Sequence, residues 1–322
     1  MKPKVILVPP TEATGKLAAE MAPSSIDLVL AQPGTAAFDE ALKTAEFMVC
    51  YPNVKMEDAF YKAGKKLRLV QLLSAGYDAV DIEAARRAGV PVANNGGANA
   101  ISVAEHAMML MLTVARRVIW QHQSVAGGRW RGNGPAPVMY EVYDKTLGIV
   151  GLGNIGRKVA RRAQAFGMKV EYYDIKRLSE DEEDALGVKF RLLRELLRRS
   201  DFVSLHVPLN ASTKHMIGKA ELALMKPSAI LVNTARGPVI DEKALCETLS
   251  QHKIFGAGLD VFDEEPPPAD NPLFKLDNVV LTAHFAGPTS DNHVARFRNA
   301  FDNVERMLRG EKPFWVVPEL QA

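Results

Sequence analysis

The sequence predicts an α/β fold built on parallel sheets and divided between two domains. Three observations carry this expectation. The chain has 322 residues, about twice the ~150 residues of a typical domain. Short β-branched runs alternate with amphipathic stretches along its whole length, the pattern of strands joined by crossover helices. A glycine-rich turn at residues 151–156 stands between one such run and the helical stretch after it.

The first series of strands is expected at residues 4–8, 26–30, 47–50, 69–73 and 90–93. Helical stretches lie between them, at 56–63 and 81–88 among others. A longer helix rich in Ala, Met and Leu follows over 101–117, then a loop over 127–137 that carries Gly127, Gly128, Gly132, Gly134, Pro135 and Pro137. The second series runs through 146–150, 169–173, 202–206, 229–233, 257–261 and 279–283, and a last helix over 290–309 precedes a proline-punctuated tail.

Composition removes several function classes. The chain is 47% hydrophobic and 24% charged, which excludes a disordered or collagenous protein. Lys and Arg number 40 against 38 Asp and Glu, a net charge of +2. Such a balance leaves no electrostatic footprint for nucleic acid or an anionic membrane. Cys50 and Cys246 are the two cysteines; they cannot form a disulfide framework and read as reduced thiols. Neither they nor the seven histidines show metal-ligand spacing, so no metal is expected. The apolar run at 5–8 is too short for a signal peptide and ends at Pro9-Pro10. The most apolar helical stretch, 107–115, falls far below the ~20 residues that span a bilayer. A cytoplasmic protein is expected.

Gly151-Leu152-Gly153-Asn154-Ile155-Gly156 is a G-x-G-x-x-G sequence that directly follows an apolar strand and opens a helix. In that context the first glycine makes the tight turn, the second lets backbone N–H groups approach a pyrophosphate, and the third lets helix pack on strand. The helix start then offers unpaired donors and a positive dipole end. Asp174 closes the next strand, 18 residues past Gly156, where it would accept hydrogen bonds from ribose hydroxyls. This favours NAD over NADP, with Lys176 and Arg177 close enough to soften the preference.

Ligands of open α/β sheets bind outside the carboxyl ends of the strands. Arg236, Glu265 and His284 follow three consecutive strands of the second series. Arg236 can bind a carboxylate with two prongs and polarise the neighbouring carbonyl. His284 suits proton transfer near neutrality, and a carboxylate beside it would favour the imidazolium. On residues alone, Asp263 and Glu264 compete with Glu265, and a single Arg or His in such a place is more often structural.

Several ordered segments together resemble the D-isomer-specific 2-hydroxyacid dehydrogenase family, in its glyoxylate/hydroxypyruvate reductase and phosphoglycerate dehydrogenase-like branches. They are 73–78 (Leu-Ser-Ala-Gly-Tyr-Asp), 99–106 (Asn-Ala-Ile-Ser-Val-Ala-Glu-His), the glycine turn, 204–209, 225–227, 232–237, 258–262 with Glu265-Pro266, and Thr282-Ala283-His284. The resemblance is clearest over 67–313. It implies two Rossmann-like or flavodoxin-like domains with parallel sheets. A nucleotide-binding domain of residues 100–285 would be inserted into a discontinuous substrate domain of 1–99 and 286–322, with hinges near Asn99 and Gly287.

The resemblance also implies roles. Arg236 would bind substrate, and Glu265, five residues after Asp260, would form the acid–base pair with His284. Gly151, Gly153, Asn154, Ile155, Gly156, Asp174, His206, Pro208, Thr213, Thr234, Ala235, Arg236, Asp260, His284 and Gly287 would line the NAD site, with Asp260 holding the nicotinamide carboxamide. Ala75, Gly76 and Tyr77 would meet the substrate, the first two through their backbone. Homodimers are usual in the family, with the helix from Ile101 as the expected seam.

Departures bear on the substrate. Tyr51-Pro52-Asn53 stands where phosphoglycerate dehydrogenases carry an Arg-Ser pair, Ala283 replaces the usual proline, and Phe285-Ala286-Gly287-Pro288 departs from Ile-Gly-Gly. A small unphosphorylated 2-keto acid, glyoxylate or hydroxypyruvate, is favoured, with Tyr51, Trp130 and Met139 as further pocket candidates. The alternative is an NADH-sensing, dimerising binding protein of the corepressor kind. Formate oxidation is disfavoured, because that branch has Gln where Glu265 stands.

Overall fold

A computed structural model describes residues 2–131 and 134–321. Gly132, counted above in the glycine-rich loop, lies outside the described residues. The elements run in the order β1 (Lys4–Leu7), α1 (Glu12–Met21), β2 (Asp27–Leu30), α2 (Ala36–Leu42), β3 (Phe47–Cys50), α3 (Asp58–Ala63), β4 (Leu69–Leu72), α4 (Ile82–Ala88) and β5 (Val92–Ala93). There follow α5 (Ala100–Ala115), α6 (Val118–Ala126), β6 (Thr146–Val150), α7 (Asn154–Ala165), β7 (Lys169–Tyr173), α8 (Glu180–Leu186), β8 (Val188–Phe190), α9 (Leu193–Arg199) and β9 (Phe202–Leu205). The chain ends with α10 (Lys219–Leu222), β10 (Ile230–Asn233), α11 (Glu242–Ser250), β11 (Gly256–Leu259), β12 (Val279–Leu281) and α12 (Ser290–Leu308). The described residues up to Asn99 and from Pro288 form one compact unit, and Ala100–Gly287 form the other.

The first unit holds a five-stranded parallel sheet in the order β2-β1-β3-β4-β5. This is the flavodoxin-like arrangement, whose order reverses between β1 and β3. Strand alternation splits its core in two. Val5, Leu7, Phe47, Val49 and Leu69 face α1 and α12, while Ile6, Met48, Cys50, Val70 and Leu72 face α2, α3 and α4. Burial on both faces explains why these strands read as continuous apolar runs. α12 is distant in sequence, and a buried amide pair helps hold it: Asn303 Nδ2 donates to Gln71 Oε1 at 2.7 Å. β5 is shorter than expected because Pro91 has no N–H to donate to the ladder.

The second unit holds a seven-stranded parallel sheet, β12-β11-β10-β9-β6-β7-β8. Counted within the unit, the order is the doubly wound 3-2-1-4-5-6 with one strand added at its far edge. α5 and α7 cover one face, burying Ala104, Ala107, Met108, Leu110 and Met111 with Ile149, Tyr172 and Val232. α9, α10 and α11 cover the other, burying Leu196, Leu222 and Leu245 with Val203, Leu231 and Leu259. The expected helix over 101–117 ends at Ala115; Arg117 turns left-handed at φ +50° and starts α6. β8 was not anticipated. It is a three-residue edge strand with exposed Lys189 in its middle, too short to register as an apolar run. No helix among the described residues is long and apolar enough to cross a membrane.

Candidate active site

The glycine turn joins β6 to α7. Gly151 sits at φ +94°, where a Cβ would also come within 2.7 Å of the His206 carbonyl. A Cβ at Gly156 would strike the Gly151 carbonyl. Gly153 is different: it precedes α7, no side chain caps the helix start, and nothing lies within 4 Å of where its Cβ would be. The first α7 amides therefore face open space lined by backbone, as a pyrophosphate site requires. Asp174 steadies this turn from the end of β7. Its Oδ2 accepts the Leu152 N–H at 2.7 Å and its Oδ1 the Lys176 N–H at 3.1 Å. Arg177 is engaged elsewhere, paired with Glu183 at 2.9 Å, so its charge offers little to a ribose 2′-phosphate.

Among the buried polar atoms of this unit that lack partners among the described residues are His206 Nδ1 and Thr234 Oγ1. His206 Nε2 lies 2.8 Å from Ser204 Oγ, and burial pushes its pKa down to about 3, which keeps the ring neutral. Thr213 is spent on its own turn, donating to the Pro208 carbonyl at 2.6 Å and accepting the Asn210 N–H at 2.9 Å. The open Gly153 edge, the bare α7 amides and the two orphaned atoms fit a bound dinucleotide. Gly151, Gly153, Asn154, Ile155, Gly156, Asp174, His206 and Thr234 would hold it.

Arg236, Glu265 and His284 come together at the carboxyl ends of β10, β11 and β12. Asn233 shapes the first loop: its Oδ1 accepts the Ala235 N–H at 3.0 Å and its Nδ2 donates to the Arg236 carbonyl at 2.8 Å. Next to it, a Cβ at Gly237 would collide with the Phe262 carbonyl, so this loop packs against the one that carries Glu265. Glu265 Oε1 accepts the Phe262 N–H at 3.1 Å, and its Oε2 lies 2.6 Å from His284 Nδ1. Neither Asp263 nor Glu264 makes that contact; Asp263 donates its N–H to Glu242 instead. Residue types alone left these three acids open and the family resemblance pointed to Glu265; of the three, Glu265 is the one in contact with His284.

The electrostatics follow the contacts. The hydrogen bond that His284 donates to Glu265 raises the His284 pKa, against burial and the nearby Arg236 charge. Burial of Glu265 works to raise its own pKa, but the hydrogen bonds from His284 and the Phe262 N–H outweigh it, and the net shift is downward. An imidazolium beside a carboxylate is the favoured state of the pair.

Asp260 anchors the segment that carries His284. It is 1% exposed; its Oδ1 accepts the Thr282 hydroxyl at 2.6 Å and the Phe285 N–H at 2.9 Å, and its Oδ2 accepts the Ala286 N–H at 2.9 Å. Because the Thr282 proton goes to Asp260, His106 Nε2 must be the donor in its 2.9 Å contact with Thr282 Oγ1. One turn earlier on α5, Ser102 Oγ donates to the Gly287 carbonyl at 3.1 Å. Sequence reasoning assigned no role to His106, Ser102 or Thr282. The usable signal was their placement: His106 and Ser102 stand four apart on one helix face, and Thr282 stands two before His284.

The expected substrate loop lies in the first unit, past the carboxyl end of β4. Ser74 Oγ donates to the Gly76 carbonyl at 2.7 Å, and Asn94 Nδ2 to the Ala75 carbonyl at 3.0 Å. These bonds hold the loop by its carbonyls, while the Ala75 and Gly76 N–H groups make no hydrogen bond among the described residues. Tyr77 packs partly into the core and its hydroxyl is 3.4 Å from Glu319 Oε1. Trp130, in the second unit, is 72% exposed. Gln121 Nε2 lies 3.8 Å from Met139 Sδ. No group of three metal-ligating side chains occurs among the described residues.

Comparisons with known proteins bear on this geometry. Residues 108–286 match a family model described as D-isomer specific 2-hydroxyacid dehydrogenase, NAD binding domain. The chain is 43% identical over 285 residues to a glyoxylate reductase of Korarchaeum cryptofilum, covering 88% of this chain and 86% of that protein. It is 42% identical over 279 residues to a glyoxylate reductase of Pyrococcus furiosus, with 85% and 82% covered. A crystal structure of a glyoxylate reductase from Paecilomyes thermophila superposes with a TM-score of 0.85 at 30% identity, covering 99% of each chain.

Proposed function

The chain belongs to the D-isomer-specific 2-hydroxyacid dehydrogenase family, and from that premise we propose that it works as a 2-keto acid reductase on a small unphosphorylated substrate, glyoxylate or hydroxypyruvate. It is an NAD-dependent oxidoreductase acting on CH–OH groups. The observation that carries the finer reading is the 2.6 Å contact of His284 Nδ1 with Glu265 Oε2, with the Arg236 charge acting on both.

NADH, when bound, supplies the hydride to the keto carbon. The chain's own residues do the rest. Glu265 takes up Nδ1 and holds the ring, which leaves Nε2 to give its proton to the substrate oxygen. Arg236 binds the substrate carboxylate and polarises the carbonyl. Asp260 keeps the His284 segment in place.

The test follows nicotinamide absorbance with purified protein, NADH and a panel of keto acids from glyoxylate and hydroxypyruvate to aromatic and phosphorylated members, repeated with NADPH. Efficient turnover of a small member with NADH is expected. Silence across the panel with tight NADH binding would turn the reading toward a cofactor sensor.

A homodimer is part of this proposal. Ile101, Met109, Val118, Ile119 and Trp120 are each more than 40% exposed along α5 and α6, beside a hollow of about 650 Å³ lined by Met108, Leu112 and Phe166. Apolar surface of this kind marks an interaction face, and a second copy would cover it. A cytoplasmic setting agrees with the two free thiols, Cys50 and Cys246, whose pKa values burial pushes up to about 12 and about 11.

A further inference from the structure

Arg296, on α12 in the first unit, is 4% exposed and has no carboxylate partner among the described residues. Its Nη1 donates to the Tyr51 hydroxyl, and its guanidinium stacks over the Tyr51 ring at 5.5 Å. Nε is buried without a partner, and Nη2 makes no hydrogen bond among the described residues. Nε–H and the adjacent Nη2–H form one edge of the guanidinium, the edge that grips a carboxylate with two parallel bonds. A buried cation left unpaired is costly, and a matching anion removes that cost.

The position is as informative as the charge. Tyr51 immediately follows β3, which pairs with β4 in register from Phe47↔Leu69 to Cys50↔Leu72. The chain leaving β4 is the loop whose Ala75 and Gly76 amides make no hydrogen bond among the described residues. The Arg296 main chain is joined to the same edge, since Asn95 Nδ2 donates to its carbonyl at 3.0 Å and the Asn95 N–H donates to the Ser74 carbonyl at 2.9 Å. Neighbouring strands run about 4.8 Å apart. Two places suited to an anion therefore stand beyond adjacent strand ends, which suits a substrate that carries a carboxylate at each end of a short chain.

We propose that Arg296, held by Tyr51, is a specificity-determining residue that receives a second carboxylate, so that beyond the small keto acids the site also takes 2-keto dicarboxylic acids of four or five carbons in preference to monoacids of the same length. The proposal rests on the keto acid reductase reading and deepens it. Nothing within two residues of Tyr51 supplies a competing cation, and the only other titratable ring near Arg296 on its helix, His293, is held toward its neutral form by burial and by the Arg296 charge.

The experiment compares wild type, Arg296→Met and Arg296→Lys on pairs matched in length: oxaloacetate against 2-oxobutanoate, and 2-oxoglutarate against 2-oxopentanoate. 3-Phosphooxypyruvate separates a phosphate preference from a carboxylate one. The wild type should favour each diacid by about tenfold or more in kcat/KM, chiefly through KM. Arg296→Met should bring that ratio near one, and Arg296→Lys should retain part of it. Equal ratios in wild type and Arg296→Met, or a phosphate preference over both diacids, would overturn the proposal. Calorimetric titration of oxaloacetate into the NADH-loaded protein gives a readout that needs no turnover. Binding by wild type that Arg296→Met loses and Arg296→Lys keeps supports the site, whereas equal binding by all three rejects it. If the wild type reduces no keto acid at all, the failure belongs to the parent reading and the titration still decides Arg296. Should Arg296→Met not fold, Arg296→Gln, which keeps a hydrogen-bond donor and removes the charge, carries the same comparison.

Discussion

The His284 N–H donates to the Asp260 carbonyl at 2.8 Å, and the Asp260 carboxylate holds the next two backbone N–H groups, those of Phe285 and Ala286. The histidine itself sits at φ +56°, a left-handed conformation that a non-glycine residue keeps only when its surroundings impose it. Asp260 imposes it. One buried acid at the end of β11 thus fixes the backbone that carries His284 past the end of the neighbouring strand, β12.

Thr282→Val tests that alignment. It removes the hydroxyl between the partly buried His106 Nε2 and the buried Asp260 Oδ1 and leaves each short of a partner. Stability should fall by about 1–3 kcal/mol in urea unfolding, and turnover should drop with it. Thr282→Ser keeps the hydroxyl and should restore both. A Val variant with wild-type turnover would show that the network does not position His284.

His284→Ala should reduce kcat by about 10²–10⁴-fold while NADH affinity, read by fluorescence titration, changes only a few-fold. Loss of cofactor binding in step with kcat would place the histidine in the cofactor site alone.

The pH profile has a defined sign. Keto acid reduction needs the protonated ring, and the Glu265 hydrogen bond raises the His284 pKa above the usual ~6.5. Reductase kcat/KM should therefore be high at low pH, fall as pH rises through the raised value, and do so later than an unperturbed histidine would. Glu265→Gln removes the largest cause of the rise, so the falling limb should move to lower pH. A limb that stays in place would assign the titration to another group.

Two glycines should behave in opposite ways. Gly153→Ala adds a methyl where nothing lies within 4 Å; melting temperature should hold while NADH affinity weakens. Gly156→Ala drives a methyl into the Gly151 carbonyl and should lower the melting temperature itself. Equal melting losses in the two would mean that the open edge at Gly153 is not a binding surface.

Asp174→Ser should raise NADPH use relative to NADH, because it removes the negative charge that meets a 2′-phosphate while a hydroxyl can still take the Leu152 N–H. An unchanged ratio of kcat/KM for the two cofactors would move the discrimination elsewhere.

Sequence by itself determined the fold class, the order of every strand but β8 and the glycine turn, and it pointed to Arg236 and His284 as candidates. These are legible because they are local: apolar alternation, a turn that only glycine permits, and polar residues directly after a strand. Residue types alone left Asp263, Glu264 and Glu265 undecided, because three acids in one loop differ only in where the folded loop aims them, and only the family resemblance singled out Glu265. Sequence reasoning passed over His106, Ser102 and Thr282, whose work depends on α5 lying beside the end of β12. It took Tyr51 as a pocket residue without its partner, since Arg296 is 245 positions away along the chain and only the packing of α12 on the first sheet joins them. Residue types declare what chemistry is available; which groups meet, and which buried charge is left without a partner, is decided by tertiary packing.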